Sequence, residues 1–247
     1  MAMTMDDWAW EMALEDLRYS TLAEQAAREQ CIFLFVEGES EEIAASMLLS
    51  GVLDLDALGV KIANYNGHGN MNAALRLLQL TLSHDRPIIL THDNDPASVA
   101  SVKKAERQGL ISDLVHCLAI PFEPIVEYPC GHRGGSFEES FPVEVFLKVV
   151  LREEFLPAGV LSNKDEFKRQ FNPGKPWLEQ LKSFAARLGF RDVFIKKPSI
   201  AEALATECDN LPPTYEAMAS LIRTVRDKYP VVHPDHVELP KVPGLTA

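Results

Sequence analysis

The chain has 247 residues, of which 47% are hydrophobic and 24% charged, and carries a formal net charge of −12 at pH 7. That length can bury one large α/β core, or a core with a helical appendage, and the composition is that of a soluble globular protein with no apolar run near the ~20 residues needed to span a bilayer. The excess of negative charge argues against a broad basic surface that would hold nucleic acid by counterion release alone.

Residues 5–30 place Trp8, Trp10, Met12, Leu14, Leu17 and Leu22 among acids, which predicts one or two amphipathic packing helices. The start of the chain lacks a basic segment followed by an apolar stretch and a small-residue cleavage site, so a cytoplasmic location is expected. Residues 31–36, Cys-Ile-Phe-Leu-Phe-Val, form a continuous apolar run, the pattern of a strand covered on both faces of a parallel sheet. A helix capped by Ser40 should follow. The alternation then repeats: strand 60–65, a glycine turn at Gly67 and Gly69, helix 71–82, strand 87–91 running on to Asp93, helix 96–108 and strand 114–120. Alternating strands and helices with short connections predict a doubly wound, mostly parallel α/β sheet flanked by helices.

Residues 121–136, rich in Pro, Gly and His, read as a loop. Helical spacing returns over 138–155, 176–189, 199–208 and 214–228, punctuated by Pro and Gly, and the Pro-rich end reads as an extended tail. The four cysteines have no paired CxxC spacing and are expected to be thiols. Cys130-Gly131-His132 offers two zinc donors without a second pair, so no zinc site is expected. Against the acidic background, the stretch from Lys164 to Lys197 is dense in lysine and arginine, and a phosphodiester would meet the chain there.

Two acidic stretches fall where strands hand over to helices, the edge at which open α/β sheets bind ligands. In Val36-Glu37-Gly38-Glu39-Ser40-Glu41, Glu37 ends a strand and Glu41 falls in the first helical turn, where an acid also suits the helix dipole. In Thr91-His92-Asp93-Asn94-Asp95, residues two apart in an extended segment face the same way, so Asp93 and Asp95 can present two carboxylates to one cation, although Asp95-Pro96 can also simply start a helix. Neighbouring parallel strands would carry both motifs to one edge. Four carboxylates that close need compensation, which Mg²⁺ or Mn²⁺ provides, and the chemistry such a centre serves is phosphodiester hydrolysis or phosphoryl transfer. His68 and His92 adjoin the two motifs and are candidate proton shuttles, His92 the better placed because it abuts the DxD.

Glu-Gly after an apolar strand, the segment Asn66-Gly67-His68-Gly69 after the next, and an apolar strand ending in DxD together resemble the TOPRIM pattern over roughly residues 31–120. The second glutamate, Glu41, resembles the nuclease domain of the overcoming-lysogenization-defect (OLD) family more than topoisomerases or primases. That resemblance implies a further metal-binding acid at Glu138, in Ser136-Phe137-Glu138, and a charge-stabilising lysine at Lys197, in Lys197-Pro198-Ser199, with Lys196 beside it as the alternative. Ser136 with Glu139 also fits a capping box, under which Glu138 is an ordinary first-turn acid.

The resemblance implies a Mg²⁺- or Mn²⁺-dependent nuclease acting on DNA or RNA, with Glu37, Glu41, Asp93, Asp95 and Glu138 as metal ligands and Glu37, Glu41 and Lys197 as catalytic groups. The expected units are a packing segment 1–30, a TOPRIM α/β core 31–135, a helical extension 136–229 that completes the site and a tail 230–247. The phosphate loop GxxxxGK[ST] of an ABC-type ATPase is missing from the sequence. The expectation is therefore a stand-alone nuclease, a catalytic domain, or a nuclease subunit of a phage-defence system whose ATPase is a separate chain, with homo-oligomerisation left open. A haloacid-dehalogenase-like phosphatase and a degenerate TOPRIM module with a regulatory role are the rival readings.

Overall fold

In a computed structural model, which describes residues 31–81, 86–190 and 197–230, the apolar run after Cys31 forms strand β1 (Ile32–Val36), buried along its whole length. A strand buried on both faces needs a layer on each side, and the chain supplies them by alternation. Helix α1 (Glu39–Ser50) precedes β2 (Val60–Asn64), α2 (Met71–Thr81) precedes β3 (Ile88–Asp93), and α3 (Pro96–Arg107) precedes β4 (Val115–Ile120). The pairings in this sheet are parallel and its order is β2-β1-β3-β4.

That order positions the site. The chain runs from β1 to β2 on one side, then returns to β3 on the other side of β1, so the connections leaving β1 and β3 diverge and open a crevice at their carboxyl ends. Phe35 pairs with Leu90, which brings the chain out of β1 at Glu37 level with the His92-Asp93 step of β3. Alternation along β1 sorts the two cores. Ile32, Leu34 and Val36 pack with Ala44, Ala45 and Leu49 of α1, whereas Phe33 and Phe35 pack with Met71 and Leu75 of α2 and with Val102 of α3.

Past β4 come a short antiparallel ladder of β5 (Val126–Glu127) with β6 (Arg133–Gly134), a 3-10 turn at Phe137–Ser140, and helices α4 (Val143–Val150), α5 (Ala158–Leu161), α6 (Lys164–Gln170), α7 (Trp177–Arg187), α8 (Lys197–Glu207) and α9 (Pro213–Lys228). Phe146, Trp177, Leu204 and Ile222 from these helices join the core on the α1 side of the sheet. Helix α8 lies along α1 and α4.

Several expectations need correction. Residues 121–136 are not a plain loop: Tyr128 N–H donates to the His132 carbonyl at 2.8 Å, closing the β5–β6 turn, and Gly135 N–H donates to the Asn94 carbonyl at 3.0 Å, tying the arm to the sheet. The single helix expected over 138–155 is a 3-10 turn followed by α4, broken at Phe141-Pro142 because the proline disfavours helical geometry in the residue before it. Helices α5 and α6 are too short to announce themselves by periodicity. Helix α1 starts at Glu39 with Gly38 at its cap and without a side-chain cap, so Ser40 lies inside the first turn. The helices expected over 5–30 and the tail beyond residue 230 fall outside the described residues. Among the described residues no helix is long and apolar enough to cross a membrane.

Candidate metal centre

Glu37 leaves β1 directly into the crevice, and its carboxylate is held from three directions. Oε2 accepts from Asp93 N–H at 3.2 Å and from Ser98 Oγ at 3.1 Å, and Oε1 accepts from His68 N–H at 3.1 Å. The His68 donor is presented by the turn after β2, where Asn66 and Gly67 take φ of 55° and 94° in succession, a left-handed step that glycine makes without strain. Glu37 therefore joins β1, β2 and β3 through one side chain.

Asp93 ends β3 with Oδ1 buried and without a hydrogen-bond partner. Burial pushes its carboxyl well above the usual range, and Glu41, Glu37, Glu138 and Asp95 push the same way. Glu41, 8% exposed in the first turn of α1, is pushed up to about 7, first by burial and then by Glu138 and Glu37, with Lys197 opposing. A Cβ at Gly38 would stand 3.0 Å from Glu41 Oε2, so the turn before α1 is packed directly on that carboxylate. Adjacent Glu42 faces elsewhere and accepts from the side-chain amide of Asn64 on β2.

Asp95 serves two roles. Its Oδ1 caps α3 by accepting from Ser98 N–H at 2.6 Å, with Pro96 at the first helical position, while its charge still acts on Asp93. Ser98, fully buried, thus holds Asp95 through its backbone and Glu37 through its hydroxyl. The sequence reading missed it. The available signal was Ser98 lying three residues after a capping Asp, which puts its N–H on the cap and its side chain in the crevice.

The Ser136–Glu138 segment also resolves into two roles. Ser136 and Glu139 make the capping box, and Glu139 Oε1 accepts from Trp177 N–H at 2.7 Å, fastening α7 to the segment. Glu138, 5% exposed, is thereby left facing the acids, with Oε2 accepting from Ser136 Oγ at 2.8 Å. Lys197 begins α8 and places Nζ 3.8 Å from Glu138 Oε1. Glu138 above all holds the Lys197 ammonium above its ordinary range, and Glu41, Asp93 and Glu37 add to that against the effect of burial. Lys196 lies outside the described residues.

The two histidines beside the motifs sit in different surroundings. His92 is buried, with Nδ1 2.8 Å from the Asp93 carbonyl, and burial holds its ring below the ordinary histidine range. His68 is half-exposed, with Nδ1 3.7 Å from Glu37 Oε1. Below the crevice Tyr65 hydroxyl donates to the Thr91 carbonyl at 2.8 Å. Asn94, between the two aspartates, bonds to Gly135 as above and its carbonyl also meets His132 Nε2 at 3.0 Å, which locks the β5–β6 arm to the DxD loop. His132 is occupied there, and Cys130 is an exposed thiol.

Among the described residues, no three His, Cys, Asp or Glu side chains already close around a single point. The donor set nonetheless fits a hard divalent cation. All five acids supply oxygen, a carboxylate has about four lone-pair sites in total, and the unpartnered Asp93 Oδ1 sits buried among like charges. Buried anions of one sign persist only when protonated or when countered by cations.

A parallel sheet with order β2-β1-β3-β4, a glutamate after β1, a glycine turn after β2 and a DxD after β3 define a TOPRIM-type α/β domain. Residues 32–95 match the family described as "Overcoming lysogenization defect protein-like, TOPRIM domain", and the chain carries a TOPRIM domain of the OLD-like type. The C-terminal region of the Burkholderia pseudomallei OLD protein superposes with a TM-score of 0.50 at 17% identity, covering 78% of this chain and 96% of that one. The C-terminal region of the Xanthomonas campestris pv. campestris OLD protein gives 0.49 at 18% identity, with 80% and 95% covered. The comparison with curated proteins found no match.

Proposed function

We propose that the chain is a divalent-metal-dependent nuclease that hydrolyses phosphodiester bonds of nucleic acid by a two-metal mechanism. The observation that supports this reading most is Asp93 Oδ1, buried and unpartnered amid Glu41, Glu37 and Glu138, with Lys197 facing the group.

In this reading Glu37, Glu41, Asp93, Asp95 and Glu138 would hold Mg²⁺ or Mn²⁺. When bound, such ions polarise phosphoryl oxygens and acidify water at neutral pH. The chain's own groups do the rest. Ser98 Oγ, His68 N–H and Asp93 N–H keep the Glu37 carboxylate from rotating away. Lys197, at the margin of the cluster with its side chain 60% exposed, would meet the scissile phosphate through Nζ and offset the charge that grows on it. His68 Nδ1, beside Glu37 and open to water, can carry a proton away from that side. A role in phage defence, with an ATPase supplied by a separate chain, is the biological setting we propose.

Incubating the protein with supercoiled plasmid, single-stranded DNA and tRNA in Mn²⁺ tests this. Cleavage should appear with wild type and fall by at least about a hundredfold in Asp93→Ala and Glu37→Ala. Cleavage in both variants equal to that of wild type would assign the activity to a contaminant. A phosphoenzyme trapped at Asp93 would favour the phosphatase alternative instead.

A further inference from the structure

Beside the acidic edge lies a groove of about 480 Å³ between α6, α7 and the Tyr128-Pro129 turn, which the chemistry above does not use. Its floor is aromatic: the Phe167 and Phe184 rings stand 5.2 Å apart, and Phe171, half-buried, stands 5.7 Å from Phe167. Its rim is cationic. Lys175 and Arg187 are exposed, and the Arg187 guanidinium lies 5.4 Å over the Phe184 ring. Glu179, the acid among the described lining residues, is engaged by Lys182 at 2.9 Å. Residues 164–190, which include α6 and α7, carry six lysines and arginines against three acids in a chain of net charge −12, so this is where a polyanion finds complementary charge.

The groove also adjoins the candidate centre. Tyr128 forms its near wall, the Tyr128 ring lies 5.9 Å from that of His132, and His132 Nε2 meets the carbonyl of Asn94, the residue between Asp93 and Asp95. Stacking on aromatic faces is indifferent to base identity, and lysine and arginine at the edge neutralise phosphates. A duplex keeps its bases stacked inside and cannot offer them to such a floor. An apolar peptide would cover the floor but leave Lys175 and Arg187 without anionic partners.

We propose that this groove takes unpaired nucleotides flanking the scissile phosphodiester, with bases stacked against Tyr128 and Phe171 and adjoining phosphates on Lys175 and Arg187. The proposal rests on the nuclease reading and adds a single-strand requirement to it.

Fluorescence anisotropy in EDTA, with labelled oligothymidylate and a duplex of equal length, measures it. Wild type should bind the single strand more tightly. The double variant Lys175→Glu/Arg187→Glu should weaken that binding by about tenfold or more and lower the salt slope by roughly 1.4, two phosphate contacts' worth. Tyr128→Leu should weaken it by about fivefold or more, leave the salt slope alone, and abolish the emission change of a 2-aminopurine placed in the strand. Thermal melting confirms that the variants are folded. Wild-type affinity in both variants, or tighter binding of the duplex, overturns the proposal. The two readings separate cleanly: groove-dependent capture of single strands without any metal-dependent cleavage sinks the nuclease reading, whereas cleavage with an unchanged single-strand KM in the groove variants sinks the groove.

Discussion

Ser98 has no charge, yet it couples the two acidic motifs, since its hydroxyl and backbone N–H grip Glu37 and Asp95 at once. Groups that orient metal ligands typically matter about ten- to a hundredfold in metal affinity. Ser98→Ala should therefore raise the Mn²⁺ concentration for half-maximal cleavage by about tenfold, at a stability cost of about 1 kcal/mol for the lost hydrogen bond. An unchanged metal requirement would show that the two backbone donors suffice to hold Glu37. The acids themselves should behave in the opposite sense. Keeping Glu41 ionised in the fold works against burial and against Glu138 and Glu37. In chelator at alkaline pH, Glu41→Gln should thus raise the unfolding free energy by about 3–4 kcal/mol, at ~1.4 kcal/mol per pKa unit. A loss of stability instead would mean that Glu41 is a structural residue.

At the scale of elements, the β5–β6 arm is the part that converts a sheet edge into a walled site. A Cβ at Gly134 would stand 1.7 Å from the Asn94 carbonyl oxygen, a backbone atom that cannot swing aside. Gly134→Ala should push the arm off the DxD loop, costing about 2–3 kcal/mol as overpacking does, and should lower cleavage even where urea melts show the protein folded. Gly69 is the control: an added Cβ there meets nothing within 4 Å, so Gly69→Ala should leave both readouts near wild type. The Asn66-Gly67 step belongs to the same scale, because its left-handed turn is what delivers His68 N–H to Glu37.

At the scale of the whole molecule, the α/β sheet and the helices after residue 136 share one core: Ile32, Leu34 and Val36 of β1 are in the same cluster as Phe146, Trp177, Leu204 and Ile222. A fragment of residues 31–135 would expose that face of the sheet. It should aggregate or melt without cooperativity, measured by near-UV circular dichroism and light scattering, while the full chain unfolds as a unit. Independent folding of the fragment would instead support a domain boundary near residue 135. Trp177→Ala in the full chain should cost about 3–5 kcal/mol, since its ring packs 5.1 Å from Phe146 inside that core.

The alternation of strands and helices, the parallel sheet and the acidic residues Glu37, Glu41, Asp93 and Asp95 were legible in the sequence, because buried strands, turn glycines and carboxylates at strand ends are local patterns with a period or a position of their own. What the linear order leaves open is distance. Only the β2-β1-β3-β4 order makes Glu37 and Asp93 neighbours, and only the packing of the later helices brings Glu138 and Lys197 to them across a gap of about a hundred residues or more from Glu37. The same holds for Ser98 and the Tyr128 groove, whose residues are ordinary one by one. Their roles arise from contacts between segments distant in sequence, and such contacts are set by how faces bury one another rather than by any local propensity.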